Sequence, residues 1–566
     1  MLRQVSFFFV LSVFFQYKGL SQVQSPDAFL GYALGEQYTP HYRIISYFQY
    51  LAANDPSAVK LQQYGTTSEG RPLVVAFVSS PENIARLEDI RTNNLRLADA
   101  ATDKTAPVET GPVIVWLSYN VHGNEASSSE AAMRTIFELV DPGNAKTKEW
   151  LKNTLVVIDP CINPDGRDRY VNWFNSIAGK NFNPEIYARE HREPWPGGRT
   201  NHYYFDLNRD WAWQAQAETQ QRMKLYRQWL PQIHVDYHEQ GINSPYYFAP
   251  AAQPFHELIT PWQREFQEKI GRNNAKYFDS NGWLFFTKEE FDLYYPSYGD
   301  TYPIYNGAIG MTYEQGGGPS GGLGVYKKEG DTLTLTDRIN HHFTTAMSTL
   351  EISSQHASQL VSEFRKFFNN AQTRGSGKYR AYVIKNEEGK GQYIKALTTL
   401  LDKNGIQYST GSGAGRGYNY FTGREEAFTI NKGDIVVSNM QPQSTLVNVL
   451  FEPNTLLVDS NTYDITAWSL PYIYGLKAYA IKEKLTNTTE YNAVAPPQNS
   501  AAETYGYVIP WEGMQSARAL AKLIRVGVKL RFAAKPFEVN GKQFNAGSVI
   551  VLKNTNNALK NSLWNT

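Results

Sequence analysis

The 566-residue chain is poor in the features that mark several common classes of protein. It has one cysteine, Cys161, so no internal disulfide can form. It has no excess of either charge: 55 Lys and Arg against 54 Asp and Glu leave +1, which argues against a nucleic-acid binder. Its mean hydropathy of -0.47 excludes a protein with many membrane spans. It also lacks the composition of a disordered chain, because 42% of its residues are hydrophobic and 14% aromatic. What remains is a folded chain too long for one compact core, with two or three domains expected.

The first residues read as an address. Arg3 supplies a basic start, residues 5–15 (VSFFFVLSVFF) form an apolar run too short to span a bilayer, and Gly19 and Ser21 offer small residues for cleavage. A signal peptide over residues 1–21 is the expectation, with an exported, periplasmic or extracellular, mature protein and no stable membrane span. Cys161, in a strand-like run, is expected to be buried and reduced.

Near-continuous apolar strands then alternate with helical spacing. Residues 73–80, 112–120 and 154–162 read as strands, with shorter ones at 232–237 and 309–313. Helical periodicity occurs at 127–140, 337–350 and 362–372. This alternation predicts an α/β sheet covered on both faces over residues 22–372. A linker-like stretch at 373–378 leads to a second part, 376–566. There a weak repeat of strand, glycine turn, helix and strand occurs twice, at 382–437 and 507–551. It predicts a smaller α/β domain, with residues 495–500 between the copies.

The chemistry-bearing residues lie in the first part. His122 and Glu125 bracket Gly123 in an HGNE sequence after a predicted strand, a spacing that lets both reach one metal ion. A catalytic zinc site needs a third ligand. In the strand QIHVDYHEQ, alternation puts His234, Asp236 and His238 on one face. His238 sits at the strand end and is the candidate ligand. His234 reads as structural, and Asp236 as the residue that orients a ligand. Asn208 and Arg209 pair an amide with a planar guanidinium, which suits capture of a carboxylate. Glu314 follows a strand and can act as a general base beside activated water. His122, the NPDG sequence at 163–166, His238 and Glu314 each follow a predicted strand, where open α/β sheets bind ligands.

Taken in order, GTTSEGRP (65–72), HGNE (122–125), NPDG (163–166), DLNRD (206–210), DYHE (236–239) and TYEQ (312–315) resemble the zinc metallocarboxypeptidases of the carboxypeptidase A/B type. The resemblance covers residues 38–350. It implies a mixed α/β sheet with helices on both faces, one Zn²⁺ per chain, and hydrolysis of the C-terminal peptide bond of peptides or proteins. It further implies that His122, Glu125 and His238 are the metal ligands, that Asn208 and Arg209 clamp the terminal carboxylate, and that Glu314 is the general base. The family's oxyanion arginine falls among Arg167, Arg169, Arg192 and Arg199. Its mobile, substrate-binding tyrosine falls among Tyr294, Tyr295 and Tyr298, with Tyr295 preferred. Asp300 lies where a specificity residue would sit, although a cap is the simpler reading. The second part resembles the amidotransferase-like domain of larger bacterial members, and by that comparison the α/β domain is cut short. Two alternatives remain: a zinc amidase or deacylase for N-acyl amino acids or cell-wall peptides, and an exported binding protein without turnover.

Overall fold

The computed structural model describes residues 23–99, 111–459, 461–465, 467–486, 488–491, 504–557 and 559. The expected signal peptide, the stretch at 495–500 and the last residues, 563–566, lie outside these. Among the described residues no helix is long and apolar enough to cross a membrane.

The chain forms two compact units. One contains the chain up to Lys385 together with Leu397–Glu490, and the other contains Asn386–Ala396 and the chain from Tyr491.

The first unit is built on an eight-stranded sheet. Its strands are β1 (Val59–Thr66), β2 (Pro72–Val78), β3 (Val113–Tyr119), β4 (Thr154–Asp159), β5 (Ile233–Gln240), β6 (Tyr246–Tyr247), β7 (Phe285–Phe286) and β8 (Ile309–Gly316). Their order is β1-β2-β4-β3-β5-β8-β6-β7. The four central strands, β4, β3, β5 and β8, run parallel, and β1, β2 and β6 pair antiparallel, so the sheet is mixed. Every residue of β3, β4 and β8 is buried, as expected for parallel strands covered on both faces.

The two faces differ in chemistry. On one, Tyr237 of β5 stacks on Tyr119 and meets His342 of the helix Leu335–Gln355 edge-on. On the other, His234 packs against Trp116, Trp211 and Tyr226, the last from the helix Ala217–Trp229. The alternation read from QIHVDYHEQ is therefore the alternation observed. Cys161 is free and buried.

The unit also contains a seven-stranded sheet from the second part of the chain, with Ala381–Ile384 paired between Ile435–Ser438 and Ala478–Ile481. Every pairing in it is antiparallel. The two strands of the first repeat copy are thus direct antiparallel neighbours, not a parallel crossover pair. Three strands lie between them in sequence, Ser409–Gly411, Gly413–Asn419 and Arg424–Ile430, and none carries an apolar run to announce it. The second part is β-rich where a smaller α/β domain was expected. In the second unit, Gly506–Ile509 and Val549–Leu552 again pair antiparallel, with the helix Gly513–Arg525 between them in sequence.

Candidate metal centre and its pocket

The centre forms at the carboxyl ends of β3 and β5. β3 stops at Tyr119, and Asn120 takes a left-handed conformation, φ 61°, which asparagine tolerates better than most residues. Its side-chain amide donates to the carbonyls of His122 (2.6 Å) and Glu125 (3.1 Å), and its oxygen accepts from Arg167 Nη1 (3.1 Å). Arg167 is fully buried and ion-paired with Glu130 at 2.6 Å. Gly123 is required by packing: a methyl group there would overlap the Gly166 carbonyl carbon and the Arg167 nitrogen, so HGNE and NPDG meet backbone to backbone. Asn120 and Arg167 hold the ligand turn and were not recognised in that role from sequence.

His122, Glu125 and His238 are buried and offer ligand atoms that all lie within 4.8 Å of one another. His122 Nδ1 is 2.8 Å from Glu125 Oε1, His238 Nδ1 is 3.1 Å from Glu125 Oε2, and the two Nδ1 atoms are 3.2 Å apart. The far side of each ring faces a carboxylate: His122 Nε2 is 3.0 Å from Asp206 Oδ1, and His238 Nε2 is 3.1 Å from Asp236 Oδ2. Those carboxylates favour the proton on Nε2 and leave the Nδ1 lone pairs pointing inward. Lone-pair donors converging in this way repel one another unless a cation lies between them. Two imidazole nitrogens, one carboxylate and an open side fit zinc in a catalytic site.

Burial works against ionisation of Glu125, yet the His122 and His238 imidazoles hold its carboxyl well below the usual range. Asp206 is likewise held low against its burial, by His122 and then Arg199. Glu314 behaves oppositely: burial pushes its carboxyl up to about 8. It sits beside His238 in the β5–β8 register, and among the described residues its carboxylate takes no hydrogen bond.

A pocket of about 140 Å³ opens over the centre, lined in part by Arg199, Asn208, Arg209, Tyr298, Asp300, Glu314 and Tyr463. Arg209 lies with its guanidinium over the Tyr298 ring at 4.7 Å. Asn208 is committed within the protein, its oxygen accepting from Gly299 N–H (2.8 Å) and its nitrogen lying 3.3 Å from His238 Nε2.

Of the four candidate arginines, Arg199 alone reaches this pocket, with Nη1 3.4 Å from Glu125 Oε1. Arg167 is spent on Glu130, Arg169 on the carbonyls of Gly197, Thr200 and Asn201, and Arg192 lies over Tyr187. Tyr295, preferred from sequence, does not line the pocket. Its hydroxyl accepts from Trp213 Nε1 (2.6 Å) and donates to the Arg209 carbonyl (3.4 Å), so it supports the Arg209 loop from behind. Tyr298, three residues on, is the tyrosine that faces the site, because the backbone between them turns through Pro296. Asp300 caps the short helix Thr301–Tyr305, accepting from Thr301 N–H (2.6 Å), and its other neighbours are those of the pocket. His234 is fully buried and makes no hydrogen bond, in keeping with a structural role.

The fold is a mixed α/β sheet with a candidate metal centre at its strand ends. Residues 44–266 match the family model described as zinc carboxypeptidase. The matched residues, less than half of the chain, are similar to a zinc carboxypeptidase domain and include the His122–Glu125–His238 cluster. Among solved structures the chain is similar to a metallo-carboxypeptidase from Burkholderia cenocepacia, at 16% identity and TM-score 0.39, over 56% of this chain and 70% of that one. It is also similar to carboxypeptidase A from Helicoverpa armigera, at 13% identity and TM-score 0.38, over 60% and 77% of the two chains. A third is the Pseudomonas aeruginosa metallo-carboxypeptidase in complex with (2-guanidinoethylmercapto)succinic acid, at 13% identity and TM-score 0.36, over 56% and 68%. No curated protein matches the chain by sequence.

Proposed function

We propose that the chain is an exported zinc carboxypeptidase that hydrolyses the last peptide bond of peptides or unfolded protein ends, with one Zn²⁺ per chain. The observation that carries this reading is the pairing of Glu314, buried and with no hydrogen bond to its carboxylate among the described residues, with an arginine-lined pocket over the His122–Glu125–His238 cluster. Those three residues would hold the zinc, which when bound supplies a Lewis acid for the scissile carbonyl and acidifies water. Glu314 takes the proton of the attacking water and passes it to the leaving amine; a carboxyl raised by burial retains a proton long enough to deliver it. Arg209 binds the terminal carboxylate and sets the register to the last bond. Asn208 keeps the Gly299 loop in place. Arg199 faces the carbonyl side and stabilises the oxyanion.

The test is a pool of N-acetylated tripeptides differing in the last residue, each as free acid and as C-terminal amide, with products read by mass spectrometry. Loss of one C-terminal residue from the acids alone supports the reading. Equal cleavage of acids and amides points to an amidase, and intact peptides with zinc bound point to a binding protein. Export is tested separately, by the N-terminal sequence of the protein recovered outside the cytoplasm; a chain still starting at Met1 there overturns it.

A further inference from the structure

Arg209 does not stand free in the pocket. Its Nε lies 2.6 Å from Asp464 Oδ2, a residue 255 positions later in the chain. Its Nη1 is turned to the Asn208 carbonyl at 3.2 Å. Beside Asp464, Tyr463 lines the same pocket as Glu314 and His122, near the rings of Phe291 and Tyr298. The Tyr463 backbone N–H is held by Asp292 Oδ2 at 2.7 Å. The flanking chain is anchored on both sides. Upstream, Glu452 pairs with buried His256 at 2.6 Å. Downstream, the Trp468 indole donates to the Val449 carbonyl at 2.8 Å and packs on Tyr294 and Tyr295.

We propose that Asp464 is a built-in surrogate for the substrate's terminal carboxylate: seated on Arg209, it must be displaced before a peptide end can bind, and so sets the pocket's affinity for free C-termini. This rests on the carboxypeptidase reading of Arg209. The chemistry is like for like, since a guanidinium offers the same N–H groups to an aspartate as to a chain end. The competitor is tethered at both flanks, so its local concentration at Arg209 is fixed by the fold and is not diluted in solution. A substrate therefore exchanges one carboxylate for another and gains less than it would from an empty guanidinium. Tyr463, with its backbone fastened to Asp292, keeps the aspartate in reach.

Steady-state kinetics of the full-length zinc enzyme, on the tripeptide it cleaves fastest, tests this. Asp464→Asn should lower KM by roughly three- to tenfold with kcat within about twofold, as loss of a partly exposed ion pair allows. Arg209→Gln should raise KM, and the double variant should resemble Arg209→Gln, because Asp464 acts only through Arg209. An unchanged KM in Asp464→Asn, alongside a raised KM in Arg209→Gln, overturns the surrogate and leaves the carboxypeptidase intact. Free acids cleaved no better than amides, with Arg209→Gln silent, overturn the carboxypeptidase reading itself. Hydrogen exchange gives a second measurement that needs no strap variant. Adding the tripeptide to the Glu314→Gln protein should speed exchange at residues 461–465; unchanged exchange at saturating peptide contradicts displacement.

Discussion

At the level of single side chains, the centre works by dividing carboxylates between two states. Glu125 and Asp206 are held ionised by the imidazoles and by arginine, while burial drives Glu314 the other way. A group that accepts and returns a proton in one turnover needs that raised affinity. Glu314→Gln keeps the shape and removes the proposed base, so on the proposed function kcat should fall by about a thousandfold or more while zinc stays at one per chain by elemental analysis. His234 makes a prediction about stability. Burial lowers it to about 3, so it is neutral in the folded protein and protonated in the unfolded one below about pH 6.5. Between those values the unfolded state binds more protons, so this residue's contribution to stability falls as pH falls. His234 packs on three aromatic rings and its ring makes no hydrogen bond among the described residues, so His234→Phe suits the site. The variant should gain about 2 kcal/mol on the wild type between pH 8 and pH 5, read from denaturant melts at the two pH values.

The elements position the ligands through backbone contact more than through side-chain choice. HGNE and NPDG come together because Gly123 leaves no side chain against Gly166 and Arg167 in the first turn of the helix Pro164–Ile177, while Gly166 lies against Gly198 and Thr200. Asn120 and the buried Arg167–Glu130 pair then lock that junction. Arg167→Met leaves Glu130 buried without its partner, which should cost about 3–5 kcal/mol and weaken zinc binding. A melt with and without chelator checks both, and a variant as stable as wild type would place the lock elsewhere. The ligand motifs were legible in the sequence because strand alternation is strict: His234, Asp236 and His238 had to share a face. Tyr295 and Tyr298 were not separable in the same way. They lie in a loop with no periodicity, and only the observed turn sends Tyr298 to the pocket and Tyr295 to Trp213.

For the whole molecule, much of the second part of the chain, Leu397–Glu490, is integral to the first unit. All eight residues of the helix Ser444–Phe451 are buried, against the helices Thr301–Tyr305 and Ala357–Arg374. A chain stopped at Arg374 would expose the apolar surface that this helix covers. It should aggregate or melt well below the full-length protein, as size-exclusion and thermal unfolding would show. A monodisperse truncation with the full-length melting temperature would contradict this.

The sequence by itself determined the strands of the central sheet and the places of the candidate ligands and Glu314 on them, because period-two burial and short turns after strands are local rules that residue order expresses directly. Tertiary structure decided what depends on contacts between distant segments. Those are the meeting of His122 with His238, the antiparallel pairing of the second sheet, the approach of Arg199 to the pocket where three other arginines stay away, and the seating of Asp464 on Arg209 across 255 positions. No local pattern encodes which charged side chain meets which, since a long side chain's partner is set by the folding of the whole chain around it.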